Sequence, residues 1–490
     1  MRILYIDIDC CRADHLGCNG YARETTPNMD RIAAEGISFR GCHTSNSPCL
    51  PSRAALFTGR FGFNNGIVSH HGPGEHLRPN AVSHRQDPAK PFLMLHLRRH
   101  GIRTVAVSSF HQRHGAWWWA AGWSELFTNP KNGQETADEI AAPAMKWLDE
   151  NATEKDWFLD VHFWDAHSHY RAPLEWLNRF RSEPLPHAFP DEEAVRRNLS
   201  VYGPRTGRDL WTGYHNCARP NDLHPDGIYT VGDAKRLIDL YDGSLAYVDH
   251  HIGMIVELLE RKGLLDETAI IISADHGDSF GEHGQHMDHG IANVPVHNIP
   301  LVVRWPRMNG RGVNDELVYQ LDLCPTLCDL LDIPTPEGWD GKSFLPALRG
   351  EPFEGRRYLV YDHGIYTFSR AVRTRDWTLI EMLHPGLYPY DGPFYLHDLA
   401  NDPHQQVNCY PERRDRFGEL AGYLAEWRHE RILDDGAPDP LEQMATIGPF
   451  IYFTPEKMDE RLRSTGREKE AEELRARLAR WKRDWARSVR

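Results

Sequence analysis

Short apolar runs alternate with amphipathic segments through the first 350 residues, and this alternation limits the fold more than any other feature of the chain. The run 3–9, ILYIDID, reads as a strand, with Leu4, Ile6 and Ile8 on one face and Tyr5, Asp7 and Asp9 on the other. TPNMDRIAAEG reads as a helix closed by Gly36, and residues 91–101 as another, followed by the strand RTVAVSSF. TADEIAAPAMKWLDEN is expected to be helical despite its interior proline, and WFLDVHFWDAH to be the next strand. Leu237, Tyr241, Leu245, Val248, Ile252, Ile255 and Leu259 recur at helical spacing. TAIIISADHG and PLVVRWP (300–306) supply further strands. Strand–helix alternation of this kind implies an α/β fold: a large, mainly parallel sheet flanked by helices.

After GWDGKSFLPALRG (338–350) the texture changes to short alternating strands, RRYLVYDHG, FSRAVRTRDWTLIEM and FYLHDLAND. The expected organisation is a catalytic α/β domain over 1–350 and a smaller α+β subdomain over 351–490, with an antiparallel sheet and terminal helices. The stretch from Pro455 onward is charged and poor in apolar residues. It is expected to be a surface helix or an arm for a homo-oligomer rather than part of a core. Residues 170–232 show little periodicity, which suggests a functional loop.

A net charge of −14 argues against a general nucleic-acid binder. No run is long and apolar enough for a bilayer, so no membrane association is expected. Acids within the first ten residues do not fit a secretory leader, and nine scattered cysteines fit a reducing compartment, so the expected location is cytoplasmic. Cys324 and Cys328, one helical turn apart, read as small core residues.

Ligands of open α/β sheets bind beyond the carboxyl ends of strands. Four strands end there in polar residues: Asp7 and Asp9; His111 and His114; Asp165, His167 and His169; and Asp275, His276, His283, His286 and His289. Carboxylates and imidazoles converging on one point suggest a divalent metal, with Asp9, Asp275 and His276 as the chosen ligands. Singly, an Asp or His at a strand end is a cap or a surface residue; the set is not. Cys49, in SNSPCLPSRAALFTGR (45–60), falls at a helix start and Gly59 at its end. Unpaired N–H groups there favour an anion, and the fork of Arg53, one turn in, suits a tetrahedral oxyanion. A plain buried thiol is the alternative on local spacing.

CLPSRAALFTGR resembles the signature of type I sulfatases, within the alkaline phosphatase superfamily. DIDCCRADHLGCNGY, IIISADHGDSFGEHG, LDLCPTLCDLLDIP and FYLHDLANDP resemble the family's other landmarks in the same order. The resemblance implies that a maturation enzyme oxidises Cys49 to Cα-formylglycine, whose hydrate joins the metal ligands. One hydroxyl of that diol attacks sulfur and displaces the alcohol; the other drives collapse, expelling sulfate and restoring the aldehyde. It further implies that Arg53 offsets charge, that His111 and His167 contact the diol and the sulfate, and that His289 is the general acid. The family metal is calcium.

Three positions depart from the family pattern. Cys10 follows Asp9 where paired aspartates are usual, and Asp7 is a further candidate ligand in compensation. His276 follows Asp275 where asparagine is common, which brings in manganese or zinc. Ser109 stands where a lysine precedes the histidine, leaving Arg113 or His114 to supply charge. The expected function is a sulfuric ester hydrolase acting on a small sulfated carbohydrate, a mono- or disaccharide. One alternative is a phosphonate monoester or phosphodiester hydrolase with the same formylglycine apparatus; another is a non-catalytic anion-binding homologue with unmodified Cys49. The rings and cations of FHQRHGAWWWAAGW and GRDLWTGYHNCARPNDLHPDG suit a sugar, with Arg113, His114 and Trp117 as the substrate-binding candidates. Packing of the tryptophans within the domain is the competing reading.

Overall fold

The computed structural model of the chain describes residues 1–78, 90–213 and 218–488. Eight strands form the main sheet: β1 (Arg2–Ile8), β2 (Ile37–Phe39), β3 (Arg103–Val107), β4 (Glu125–Phe127), β5 (Trp157–Phe163), β6 (Thr268–Ala274), β7 (Leu301–Arg304) and β8 (Gly312–Asn314). Their spatial order is β8-β2-β7-β6-β1-β5-β3-β4. Only β7 runs against its neighbours; the other pairings are parallel. The mainly parallel sheet is therefore present, and β1, β5 and β6 are buried at every position, as strands covered on both faces must be.

The register sets up the site. Asp7 of β1 sits opposite His162 of β5 and Ser273 of β6, so the residues just beyond these strands, Asp9, Trp164 and Asp275, emerge at one edge. The periodic segment 237–259 lies in a helix, Val231–Arg261, that opens on a Thr230–Asp233 capping box. From that helix the Tyr241 hydroxyl accepts from Arg12 N at 2.8 Å and donates to Cys10 O at 3.0 Å, fastening the chain just beyond β1.

The second sheet contains Leu359–Ile365, Thr367–Arg373, Trp377–His384 and Phe394–Asp398, paired antiparallel. Its edge is completed by Asn46–Ser47, which pairs in parallel with Asp362 and His363. The residues just before Cys49 thus belong to the sheet of the C-terminal half.

The terminal helices correct an expectation. Pro455–Ser464 and Glu468–Ser488 are not an unpartnered arm. Met458, Leu462, Ala471 and Leu474 are buried in a cluster with Tyr202, Leu387 and Phe453. Arg467 Nη1 donates to the buried Asp209 at 2.9 Å. The few apolar residues fall on one face, and the chain itself covers that face. No described helix is long and apolar enough to cross a membrane.

Candidate active site

Cys49 is the first residue of the helix Cys49–Thr58, which ends at Gly59 in the left-handed conformation (φ 66°). All ten residues of that helix are buried. Burial, then Asp9 and Asp275, push the Cys49 thiol well above its ordinary range. A thiol raised in this way is a poor nucleophile.

Arg53 corrects a second expectation. Its fork is turned to the strand ends, not to the cavity. Nε donates to Asp7 Oδ2 at 2.9 Å, Nη1 to Asp9 Oδ2 at 3.1 Å and to Asp275 Oδ2 at 2.5 Å, and Nη2 stands 2.6 Å from His162 Nε2. One guanidinium organises three buried carboxylates. Asp7 is held in this way and is not grouped with the metal donors. Burial alone would raise the Asp9 carboxyl; Arg53 and His162 hold it well below the usual range instead. Burial, together with Asp7, pushes Asp160 well above it.

Asp9, Cys49, Asp275 and His276 each offer one ligand atom, all buried and all within 4.8 Å of one another. The His276 Nδ1 atom lies 3.0 Å from Gly277 O, which places its proton there and leaves the Nε2 lone pair facing Cys49 Sγ at 3.2 Å. Two strand-end carboxylates, a bare imidazole nitrogen and a surplus of buried negative charge fit a divalent cation. Cys10 joins two overlapping groups, one with His276, Asp278 and His289 and one with Asp9 and His167. Its thiol is 3.3 Å from Asp9 Oδ1.

The cavity above Cys49 is lined by His70, Arg113, His114, His167, Ser168, Asp288, His289, Ile365, Tyr366 and Tyr452. Of the residues singled out from sequence, Cys49, Arg113, His114, His167 and His289 meet here. His289 Nδ1 lies 2.8 Å from Asp278 Oδ1. Burial would lower this imidazole, but Asp288 and Asp278 raise it to about 9, so it carries a proton at neutral pH. Burial holds His167 well below the ordinary imidazole range.

Two expected residues are elsewhere. His111 stacks on Trp119 (5.8 Å, 9°) and does not line the cavity; His114, three residues on, does. Trp117 is 68% exposed, edge-on to His111, and away from the cavity wall. The neighbouring Trp119 and Trp123 are buried against Phe57, so most of that aromatic stretch packs the domain. In the second aromatic stretch, residues 214–217 lie outside the described residues; Trp211 packs beside His169 and His224.

Sequence reasoning missed His162, Asp278, Asp288, His70, Tyr366 and Tyr452. A signal existed for His162: it and Asp160 stand two apart in an apolar strand and so share the sheet face of Asp7. His70, Tyr366 and Tyr452 had none, because they arrive from loops that only tertiary contacts bring to Cys49.

The sulfatase family model matches residues 2–333. The C-terminal model of N-sulphoglucosamine sulphohydrolase matches residues 281–426. The N-acetylglucosamine-6-O-sulfatase of Bacteroides thetaiotaomicron is 24% identical, over 91% of this chain and 89% of its own. A solved protein in complex with its substrate D-glucosamine-2-N,6-O-disulfate superposes with a TM-score of 0.68 at 20% identity, covering 90% of this chain and 99% of that one. The phosphonate monoester hydrolase of Agrobacterium radiobacter gives 0.68 at 22% identity, covering 88% and 96%. Those two structures establish the likeness of fold. The family model spans both strand-end aspartates, Cys49 and the 275–289 segment, and on that span this chain belongs to the sulfatase family.

Proposed function

We propose that the chain hydrolyses the sulfate ester of a small sulfated carbohydrate, a mono- or disaccharide. The observation that carries this is the buried meeting of Asp9, Asp275, His276 and Cys49 at a helix N-terminus, in a sulfatase chain. The relatives, an N-acetylglucosamine-6-O-sulfatase and a protein solved with a glucosamine disulfate, support a sulfated amino sugar as the substrate class.

Asp9, Asp275, His276 and the modified Cys49 would hold the metal, which when bound supplies Lewis acidity to the nucleophile and the sulfate oxygens. The imidazole in this set favours manganese or zinc over the family's calcium. Conversion of Cys49 to formylglycine by a maturation enzyme would give a diol hydroxyl in place of the thiol. Arg53 acts one layer down, fixing the carboxylates that face the site. His167 and His114 are neutral walls, and Arg113 brings a cation to the cavity. His289 carries its proton toward the leaving oxygen while Asp278 holds the other ring nitrogen.

The Asp275–His276 pair favours one further reading, a phosphonate monoester or phosphodiester hydrolase on the same apparatus. Rates on an aryl sulfate and an aryl phosphonate ester decide between them. Higher kcat/KM on the sulfate is expected; an excess of orders of magnitude on the phosphonate would replace the sulfatase reading. Peptide mass over residues 45–60, from protein co-expressed with a maturation enzyme, is expected to show the aldehyde or its hydrate. A thiol mass in every fraction would support the unmodified anion-binding reading instead.

A further inference from the structure

A cleft of about 260 Å³ opens where the second sheet meets the main α/β part, and it shares no lining residue with the Cys49 cavity. Arg12 and Asp14, from the segment after β1, form one wall. Arg373, Arg375, Asp376 and His404 form the other. Arg373 is the last residue of the strand Thr367–Arg373; it stands opposite Thr378 and on the sheet face of Tyr361.

The guanidinium of Arg373 lacks the partner that its surroundings call for. Its Nε is buried without a hydrogen bond, and among the described residues no carboxylate forms an ion pair with it. Burial pulls it below its ordinary range, against the opposing pull of Tyr361 and Asp376. A cation drawn out of water with no anion against it is a costly arrangement. The other charged groups of the cleft are accounted for. Arg12 spends Nε and Nη2 on Asp14 at 2.9 and 2.7 Å, and Nη1 on Asp278 O at 3.0 Å and Glu282 at 3.1 Å. His404 stacks on Phe189 with its Nδ1 3.5 Å from Glu282. Arg375 is 70% exposed and tied loosely to Glu316 at 3.4 Å, so it can turn toward the cleft from the rim. Asp376, three residues after Arg373, lines the cleft without pairing with it.

We propose that this cleft is a second binding site, for a tetrahedral oxyanion: a sulfate or phosphate group, free or carried on a monosaccharide. Arg373 supplies the fork of N–H donors that matches two oxygens of such a group, and Arg375 a second cation. The volume exceeds what a bare oxyanion fills, which leaves room for a sugar ring beside it. Binding here involves none of the groups around Cys49.

The test is thermal unfolding of the full chain titrated with sodium sulfate, and separately with a hexose phosphate, against sodium chloride at matched ionic strength. General salting-out and any binding near Cys49 act on the wild type and on Arg373→Met alike, so the difference between the two isolates the cleft. The Tm of the wild type is expected to rise saturably with the anion. Arg373→Met keeps the apolar stem and strands no carboxylate, so it is expected to melt no lower than wild type in chloride. It should bind the anion at least about tenfold more weakly. Asp376→Asn removes a repelling charge and should tighten binding. A half-saturating concentration lower for the hexose phosphate assigns the sugar-borne group as the occupant; one lower for sulfate assigns the free anion. Identical titration curves for the wild type and Arg373→Met overturn the site. So does a loss of stability in chloride shared by Arg373→Met and Asp376→Asn, which would make Asp376 the counter-ion of Arg373. Turnover is not read, so failure here leaves the sulfate-ester reading standing.

Discussion

Arg53 Nε donates to Asp7 Oδ2 at 2.9 Å, and the rest of the same guanidinium serves Asp9 and Asp275. Arg53 is therefore a structural counter-ion to the buried carboxylates at these strand ends. Arg53→Met removes the donor that the three buried carboxylates share and leaves Asp7 without its cation, and loss of about 3–5 kcal/mol is expected by analogy with other broken buried pairs. Urea unfolding measures it; a change below about 1 kcal/mol would contradict this role.

Cys49→Ala is expected to abolish turnover on every sulfate ester while preserving the fold, because the residue adds little volume to a helix that packs through its other members. Circular dichroism and a melting curve close to wild type, with no sulfate release, are the expected pair of results. Appreciable residual turnover would remove Cys49 as the source of the nucleophile.

His289→Asn removes the proposed proton donor but keeps a polar side chain between Asp278 and Asp288. The rate loss should grow with leaving-group basicity: roughly 10²–10⁴-fold for an alkyl or sugar sulfate and much less for nitrophenyl sulfate. A uniform loss across a leaving-group series would point to sulfate binding rather than proton transfer.

Glu282 supplies a pH dependence of stability away from the metal donors. It is fully buried, 3.1 Å from Arg12 Nη1, and accepts from Phe280 N at 2.6 Å. Burial alone would raise its carboxyl; Arg12 and His404 hold it well below the usual range. A depressed folded pKa stabilises fully above the unfolded value of about 4.3, and that contribution is lost as pH falls toward the folded value. Wild-type stability should therefore fall between about pH 5 and 3 more steeply than that of Glu282→Gln, which is weaker at neutral pH. Parallel urea midpoints for the two proteins over that range would exclude the mechanism.

Exhaustive chelation is expected to lower both activity and Tm, since a cation that binds only the folded chain stabilises it by about 2.7 kcal/mol at a hundredfold excess over Kd. Readdition of manganese or zinc should restore the Tm better than calcium does. Thermal shift with each ion in turn gives the ranking; recovery with calcium alone would reverse the inference drawn from His276.

Much of the fold and the site is legible in the sequence because parallel sheets announce themselves. Buried strands such as Thr268–Ala274 are mostly apolar, and their ends deliver polar residues to one edge, so Asp9, Asp275 and His276 stand out as the polar residues at strand ends. The signature around Cys49 is legible for a similar reason: the helix, its Gly59 stop and Arg53 are local. The direction of the Arg53 fork is not, because helix position does not say which side of the sheet a long side chain will cross to. His111 and His114 differ by less than a turn, and only packing against Trp119 decides between them. His70 and Tyr452 meet across 382 residues through a hydrogen bond and an edge-on ring contact, a relation that no periodicity encodes. The packing of the terminal helices is hidden because composition averages over all faces, whereas Met458, Leu462, Ala471 and Leu474 occupy one.

The pairing of Asn46–Ser47 with Asp362 and His363 has a bearing on how such chains diversify. Ser47 Oγ is 2.7 Å from His363 Nδ1, and Ile365, on the same strand, lines the cavity. A chimaera that borrows its C-terminal half from a relative would therefore inherit a new strand beside the residues that lead into Cys49 along with a new cavity wall. That strand borders both the cavity and the segment before Cys49, so substrate range in this chain should drift by changes in cavity loops more readily than by exchange of the whole second sheet.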